Sequence, residues 1–335
     1  MTTKIAINGF GRMGRLALRA AWQWPELEIV HINELAGGAE AAAHLLQFDS
    51  VHGTWALPVS HDTDAIIIDG TSVSYSSNTA LDDTPWDEYG VDVVVECTGQ
   101  FKSKDLLATY LDAGVKKVVV SAPVKDGTPN VVVGVNDEAY KSEQHDIVTA
   151  ASCTTNCIAP VIDVLHQSFG IRHGSITTIH DITNTQSVLD QYHKDLRRSR
   201  ASGMSLIPTS TGSATAIAEI FPELRGRLSG IAVRVPLANA SLSDCVFELE
   251  QVVTVDAVNN ALREAADGRL SGILGFEDRP LVSMDYRGDT RSGIVDGLAT
   301  MVVDDTHVKV LVWYDNEIGY VHRLMELVKR VAAEL

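Results

Sequence analysis

The chain has 335 residues, 45% of them hydrophobic, and its 27 Lys plus Arg against 44 Asp plus Glu give a formal net charge of −17. At roughly 150 residues per domain this length implies two domains, each able to bury a sizeable core. The acidity excludes non-specific binding to a nucleic-acid backbone, but it leaves room for a small anion held by a few local cations.

The N-terminus runs from Met1 through Lys4 directly into Ile5-Ala6-Ile7. It lacks the apolar stretch and cleavage site of a signal peptide, and no apolar run reaches the length of a membrane span. The cysteines are Cys97, Cys153, Cys157 and Cys245, with no C-x-x-C pair among them. They read as reduced thiols, so the expectation is a cytoplasmic protein with neither a disulfide framework nor a metal site.

The first half alternates strand and helix patterns. Residues 5–8 read as a short buried strand and 12–22 as a helix with Met13, Leu16, Ala17 and Ala20 on one face. A second strand follows at 27–33 and a second helix at 39–47. Asp69-Gly70 marks a hairpin turn between 66–68 and 72–76. The β-branched runs 91–97, 117–121 and 131–135 read as strands buried on both faces. Such a βαβ series predicts a Rossmann-like, doubly wound parallel sheet.

The second half differs. A helix is expected from Cys153 to about residue 169, followed by longer strands at 175–182, 231–235, 244–251 and 308–315. Residues 186–207 form a polar, basic, aperiodic stretch, and a loop that long inside a compact domain is usually functional. The last helix, 318–332, places Val321, Leu324, Met325, Val328 and Val331 along one stripe. This half reads as an α+β catalytic domain with a mixed or antiparallel sheet. The expected division is 1–152 with 317–335 for the dinucleotide-binding domain and 153–316 for the catalytic domain.

Gly9-Phe10-Gly11-Arg12-Met13-Gly14 is a G-x-G-x-x-G between a predicted strand and a predicted helix. Its glycines allow a tight turn, close approach of a pyrophosphate and close helix–strand packing, and the helix start faces the phosphates with free N–H groups. Glu34 ends the second strand 20 residues after Gly14, where an acid binds ribose hydroxyls and disfavours the extra phosphate of NADP. Cys153 falls where a helix begins, a setting that favours a thiolate nucleophile. By position alone a helix-start cysteine is more often a small buried residue, and Cys157 one turn later fits that role. Spacing does not choose among the 11 histidines, although His180 closes Thr177-Thr178-Ile179-His180 at an expected strand end.

Ala151-Ser152-Cys153-Thr154-Thr155-Asn156-Cys157, the Thr177–His180 run, His193 to Arg198, Val233-Arg234-Val235-Pro236 and Trp313-Tyr314-Asp315-Asn316-Glu317 occur in order. Together with the glycine motif they make the chain resemble the phosphorylating glyceraldehyde-3-phosphate dehydrogenases over nearly its whole length. The resemblance implies that Cys153 is the catalytic thiol and His180 its base and ion-pair partner. It implies that Thr183 binds the substrate's own phosphate, that Ser152, Thr154, Thr211 and Gly212 bind the attacking phosphate, and that Arg234 is shared by both anion sites. NAD would be held by Gly9, Phe10, Gly11, Arg12, Met13, Gly14, Glu34, Thr98, Gly99 and Ser121, with Asn316 on the nicotinamide carboxamide and Tyr320 beside it. Loop 186–207 resembles the family loop that lines the cofactor pocket of an adjacent subunit, implying a homotetramer.

The chain departs from many glycolytic members at Asp181 and Ile182, at Thr185, at Gln191-Tyr192, at Thr215, at 237–241 and at Ile318. The stretches 32–34, 180–186, 205–215 and 233–242 are similar to those of members from arsenic-resistance operons, which are encoded beside a membrane exporter. That similarity implies arsenate in place of phosphate as acyl acceptor, giving 1-arseno-3-phosphoglycerate for export.

The residue chemistry agrees with the family. An aldehyde becomes an acid derivative most easily through a covalent thiol adduct, with a base taking the hydroxyl proton as hydride leaves. Hydroxyls and an arginine suit a tetrahedral oxyanion acceptor. Rival readings are an ordinary glycolytic member, an erythrose-4-phosphate dehydrogenase, which the I-N-E-L-A run and Tyr192 also suit, and a regulatory or RNA-binding protein on the same fold. The net charge and the intact Cys153, His180 and Arg234 argue against the last.

Overall fold

The computed structural model describes residues 2–335, which fall into two compact units, one ending at Ala151 and resuming at Val321–Leu335, the other Ser152–Tyr320. The first unit contains β1 (Thr3–Asn8), α1 (Arg12–Ala21), β2 (Leu27–Asn33), α2 (Gly38–Gln47), β3 (Val59–His61), β4 (Ala65–Ile68), β5 (Thr71–Ser76), β6 (Val93–Glu96), α3 (Lys104–Asp112), β7 (Lys117–Val120) and β8 (Ile147–Thr149). The strands form one sheet in the order β3-β4-β5-β2-β1-β6-β7-β8. From β5 to β8 every pairing is parallel, while β3–β4 and β4–β5 are antiparallel. Every residue of β6 and β7 is buried, as continuous apolar runs require in a sheet covered on both faces. Trp86, Tyr110, Val94 and Val118 pack in a core cluster with Ala6 of β1.

Asp69 and Gly70, both at positive φ (48° and 81°), make the β4–β5 turn that the Asp-Gly pair predicts. The expected strand at 131–135 is absent. There, the side chain of Asn136 accepts from Val132 N–H (2.7 Å), Asp137 accepts from Gly134 N–H (2.6 Å), and Val135 N–H bonds Val132 O (3.0 Å). These local bonds close a turn and consume the donors a ladder needs. The sheet edge is β8 instead, which meets the residue before this segment through an isolated bridge from Asn130 to Thr149 and a hydrogen bond from the Thr149 hydroxyl to Asn130 Oδ1 (2.7 Å). The helix α3 had no counterpart in the sequence reading. Its N-cap is Ser103, whose hydroxyl accepts from Leu106 N–H.

The second unit contains α4 (Cys153–Phe169), β9 (Ile171–His180), β10 (Ile207–Ser210), α5 (Ser213–Ile220), β11 (Leu228–Arg234), β12 (Ser241–Leu249), α6 (Val255–Asp267), β13 (Leu274–Glu277), β14 (Gly293–Asp296), β15 (Met301–Val303) and β16 (His307–Tyr314), and it includes the start of α7 (Ile318–Ala333). Its mixed sheet runs β10-β11-β9-β12-β16-β14-β13, with β15 on β16. Strand β12 alternates buried and half-buried residues along its length, as in a sheet with one face on the core. The strand expected at 175–182 starts earlier and stops at His180, and α5 and α6 are helices the sequence reading did not place. The stripe Val321, Leu324, Met325, Val328 and Val331 on α7 is fully buried. No helix among the described residues is long and apolar enough to cross a membrane.

Candidate active site

In the second unit, strand register brings four side chains to one level of the sheet. Parallel pairing of β11 with β9 sets Arg234 opposite His180. Antiparallel pairing sets Leu242 opposite Ile179, which brings Ser241 beside His180, and sets Ser241 opposite Tyr314. Residues level with one another on neighbouring strands share a face.

Against this row stands the start of α4. Ser152 caps it, its hydroxyl accepting from Thr155 N–H at 3.2 Å. The first-turn N–H groups of Cys153 and Thr154 have no acceptor within the helix, and the positive end of the helix dipole lies at the same place. Cys153 Sγ is 3.9 Å from His180 Nε2. The Thr154 hydroxyl is turned inward and bonds Tyr314 OH at 2.9 Å, so Thr154 offers an anion its N–H and not its side chain.

His180 is buried and its Nδ1 is crowded. Asp181 O is 2.9 Å away, Asp181 Oδ1 2.8 Å, Arg234 Nη1 2.7 Å and Ser241 Oγ 3.4 Å. Burial disfavours the imidazolium, yet Asp181 and Cys153 outweigh burial and the opposing charge of Arg234, and the histidine is raised to about 9. Burial also pushes the Asp181 carboxyl up, with His180 and Arg234 holding it back in part. Arg234 is lowered by burial, and Arg198 is near enough to add like-charge repulsion. The other cysteines are of a different kind. Desolvation pushes the Cys97 thiol up to about 12 and raises Cys157 and Cys245 further.

The remaining anion-site candidates lie on loops of the same unit. Thr183 N–H and Oγ1 both reach Gln186 Oε1 (2.7 and 3.0 Å), and its hydroxyl also meets Thr185 Oγ1 at 2.9 Å. Thr211 Oγ1 accepts from Ser213 N–H at 3.2 Å at the start of α5. A Cβ on Gly212, the residue capping that helix, would meet nothing within 4 Å. Arg198, the last residue of the His193–Arg198 motif, donates to Thr209 Oγ1 (2.8 Å) on β10. Asn316 is buried with its Oδ1 lacking a donor among the described residues, which suits it to receive an amide N–H.

In the first unit, the glycine motif joins β1 to α1. A Cβ on Gly9, which takes φ +91°, would meet Thr98 N at 2.5 Å, and one on Gly14 would meet Gly9 O at 2.2 Å. Gly11 faces open space. Two of the glycines are therefore required by packing and the third leaves a bare approach to the helix start. A cleft of about 580 Å³ opens here, lined by Gly9, Gly11, Asn33, Glu34, Asn78, Thr98 and others. Glu34 accepts from Phe10 N–H (2.7 Å) and Ala36 N–H (3.2 Å). Phe10 is buried, Arg12 is paired with Asp49, and Met13 is half-buried. Gly99 has φ +67°, and Ser121 N–H bonds Glu96 O at 2.9 Å.

Glu96 itself escaped the sequence reading. It is buried beneath the cleft and accepts from Asn8, Tyr110 and both the N–H and hydroxyl of Thr98. A lone acid ending a valine run was the only available signal. A bare glycine cradle over a helix start, with an acid at the end of β2, fits a dinucleotide.

Comparison with known proteins points to one family. Residues 3–104 match the model of the glyceraldehyde 3-phosphate dehydrogenase NAD binding domain, and 152–316 match that of the C-terminal domain of the same enzymes. The chain is 60% identical to glyceraldehyde-3-phosphate dehydrogenase 3 of Nostoc sp., with both chains covered in full. It is 51% identical to glyceraldehyde-3-phosphate dehydrogenase 1 of Bacillus cereus over 97% of each chain, and 48% identical to the Geobacillus stearothermophilus enzyme over 100% of this chain and 99% of that one. The chain belongs to the glyceraldehyde-3-phosphate dehydrogenase family and is an NAD-dependent oxidoreductase.

Proposed function

We propose that this enzyme oxidises glyceraldehyde 3-phosphate through a Cys153 thioester and passes the acyl group to arsenate or phosphate. The observation that carries the reading is the Cys153–His180 pair, 3.9 Å apart at the start of α4, with Arg234 on the far nitrogen of the imidazole. Bound NAD would take up the hydride from the substrate carbon. It would be held by the Gly9–Gly14 cradle, Glu34, Thr98, Gly99 and Ser121, and the family resemblance assigns Asn316 and Tyr320 to its nicotinamide end.

The chain's own residues do the rest. The Cys153 thiolate forms the S–C bond to the aldehyde carbon, and His180 Nε2 gives its proton to the oxygen. As hydride departs, Nε2 takes that proton back and the thioester carbonyl forms. Thr183 and Arg234 bind the phosphate of the substrate. Ser152, the first-turn N–H of Thr154, Thr211, Gly212 and Arg234 bind the attacking oxyanion, which displaces the thiolate.

The motifs at 180–186, 205–215 and 233–242, similar to those of arsenic-resistance members, support arsenate as the physiological acceptor, 1-arseno-3-phosphoglycerate as product, and coupling to an exporter. Exposed Val188, Leu189, Tyr192 and Leu196 on loop 186–207 support a homotetramer in which this loop meets a neighbouring subunit. We place the protein in the cytoplasm, with functional domains at 1–152 plus 317–335 and at 153–316. The test is NADH formation with glyceraldehyde 3-phosphate and either phosphate or arsenate. Turnover with both is expected. Failure with arsenate would remove the resistance role and keep the dehydrogenase. Faster turnover of erythrose 4-phosphate, with weak dependence on phosphate, would reassign the substrate.

A further inference from the structure

We propose that Asp181 is a positioning residue for His180: its buried carboxylate, 2.8 Å from Nδ1, holds the proton on that nitrogen and so keeps an imidazolium facing the Cys153 sulfur. The inference rests on the roles proposed above for Cys153 and His180.

Asp181 is fully buried, and neither carboxylate oxygen has a hydrogen-bond donor in line with it among the described residues. Burying a carboxylate in that state is expensive, so a partner charge is required. His180 supplies it. Nδ1 has neighbours of opposite sense. Arg234 Nη1, 2.7 Å away, can only donate and so favours a bare Nδ1 with the proton on Nε2. Asp181, through its backbone oxygen at 2.9 Å and its carboxylate, favours Nδ1–H. With Nδ1 protonated, Arg234 still has an acceptor, because its Nη1 lies 3.0 Å from Asp181 O.

The charged and titratable groups around the imidazole are Cys153 from α4, Arg234 from β11 and Tyr314 from β16, whose ring lies edge-on with centroids 6.2 Å apart. Glu317 adds a second negative charge on the Asp181 side. Arg234 opposes the imidazolium; Asp181 and the Cys153 thiolate favour it.

In the reaction, a more basic His180 helps where the proton returns. The aldehyde oxygen takes the Nε2 proton as the S–C bond forms, and Nε2 recovers it from the thiohemiacetal hydroxyl as hydride leaves. Proton and charge on the histidine are restored at the thioester stage. The carboxylate stays ionised throughout and touches no reacting atom.

Asp181→Asn isolates the charge, because the backbone bonds from Asp181 N–H to Ser241 Oγ (3.1 Å) and from Arg234 to Asp181 O do not involve the side chain. The experiment measures iodoacetamide alkylation of Cys153 against pH in cofactor-free enzyme, with the NADH burst in parallel. In Asp181→Asn, half-maximal alkylation is expected about one pH unit higher, with burst rate down about tenfold and the KM for glyceraldehyde 3-phosphate little changed. A superimposable alkylation profile with a lower Tm overturns the proposal and makes Asp181 a brace. Should the variant not fold, the His180 ring protons of the wild type are titrated by NMR. The same titration in Cys153→Ser removes the thiolate that also raises His180: a midpoint still above 6.5 supports the proposal, and one at or below 6.5 overturns it. The expected alkylation shift in Asp181→Asn, in an enzyme whose wild type reduces no NAD with this substrate, upholds the role of Asp181 and removes the substrate assignment.

Discussion

Arg234 Nη1 lies 2.7 Å from His180 Nδ1, on the opposite side of the imidazole from Cys153, because β11 and β9 pair in parallel with these two residues in register. One guanidinium therefore touches both the candidate base and the backbone oxygen of Asp181. Arg234→Ala should impair both acyl-enzyme formation and acyl transfer, by roughly 10- to 150-fold each, the worth of a charged hydrogen bond to a desolvated anion. Apparent constants for glyceraldehyde 3-phosphate, phosphate and arsenate check this. Unchanged constants with a lower melting temperature would show that Arg234 only braces β11.

Cys153→Ser should keep the fold and NAD binding but lose oxidation by several orders of magnitude, since an alcohol does not supply the anion that a thiol does. Mass spectrometry after brief alkylation should find Cys153 modified before the other cysteines. Desolvation holds Cys97 at about 12 and raises Cys157 and Cys245, so all three stay as unreactive thiols at neutral pH. Equal labelling of Cys157 would contradict this.

Glu34 lines the dinucleotide cleft with its carboxylate held by the N–H groups of Phe10 and Ala36. A fixed negative charge there should repel the 2′-phosphate of NADP. The ratio of kcat/KM for NAD over NADP should fall about tenfold or more in Glu34→Ala, the size of one lost like-charge conflict. Comparable specificity constants in the wild type would refute it.

His31 gives a pH dependence in which the reacting groups take no part. It is buried between Ser74 Oγ (2.8 Å) and Ser76 Oγ (2.9 Å) and stacked on Tyr89, and burial lowers it from 6.5 to about 4. The folded protein refuses a proton that the unfolded chain accepts. Stability is thus full above about pH 6.5 and declines as pH falls toward 4, by about 2 kcal/mol between pH 7 and pH 5. Urea unfolding at those two values should show the loss in the wild type and little of it in His31→Gln.

The legible part of this molecule was local. Gly9, Gly11 and Gly14 declare a tight strand-to-helix turn by spacing alone, Asp69-Gly70 declares a hairpin, and Ser152-Cys153 declares a helix start, because each depends on the backbone freedom and capping of a few consecutive residues. The buried stripe of α7 followed from its period in the same way. The misreading at 131–135 was also local: β-branched residues suggested a strand, but the side chains of Asn136 and Asp137 captured its donors. What only the tertiary structure decided was which distant residues share a level of the sheet. Arg234, Ser241 and Tyr314 reach His180 through the register of β11, β9, β12 and β16, and Asp181 becomes a partner for Nδ1 only because that corner is closed to water. Register is set by side-chain packing summed over whole strands, and burial by everything packed around a residue, so neither is written in any short stretch of sequence.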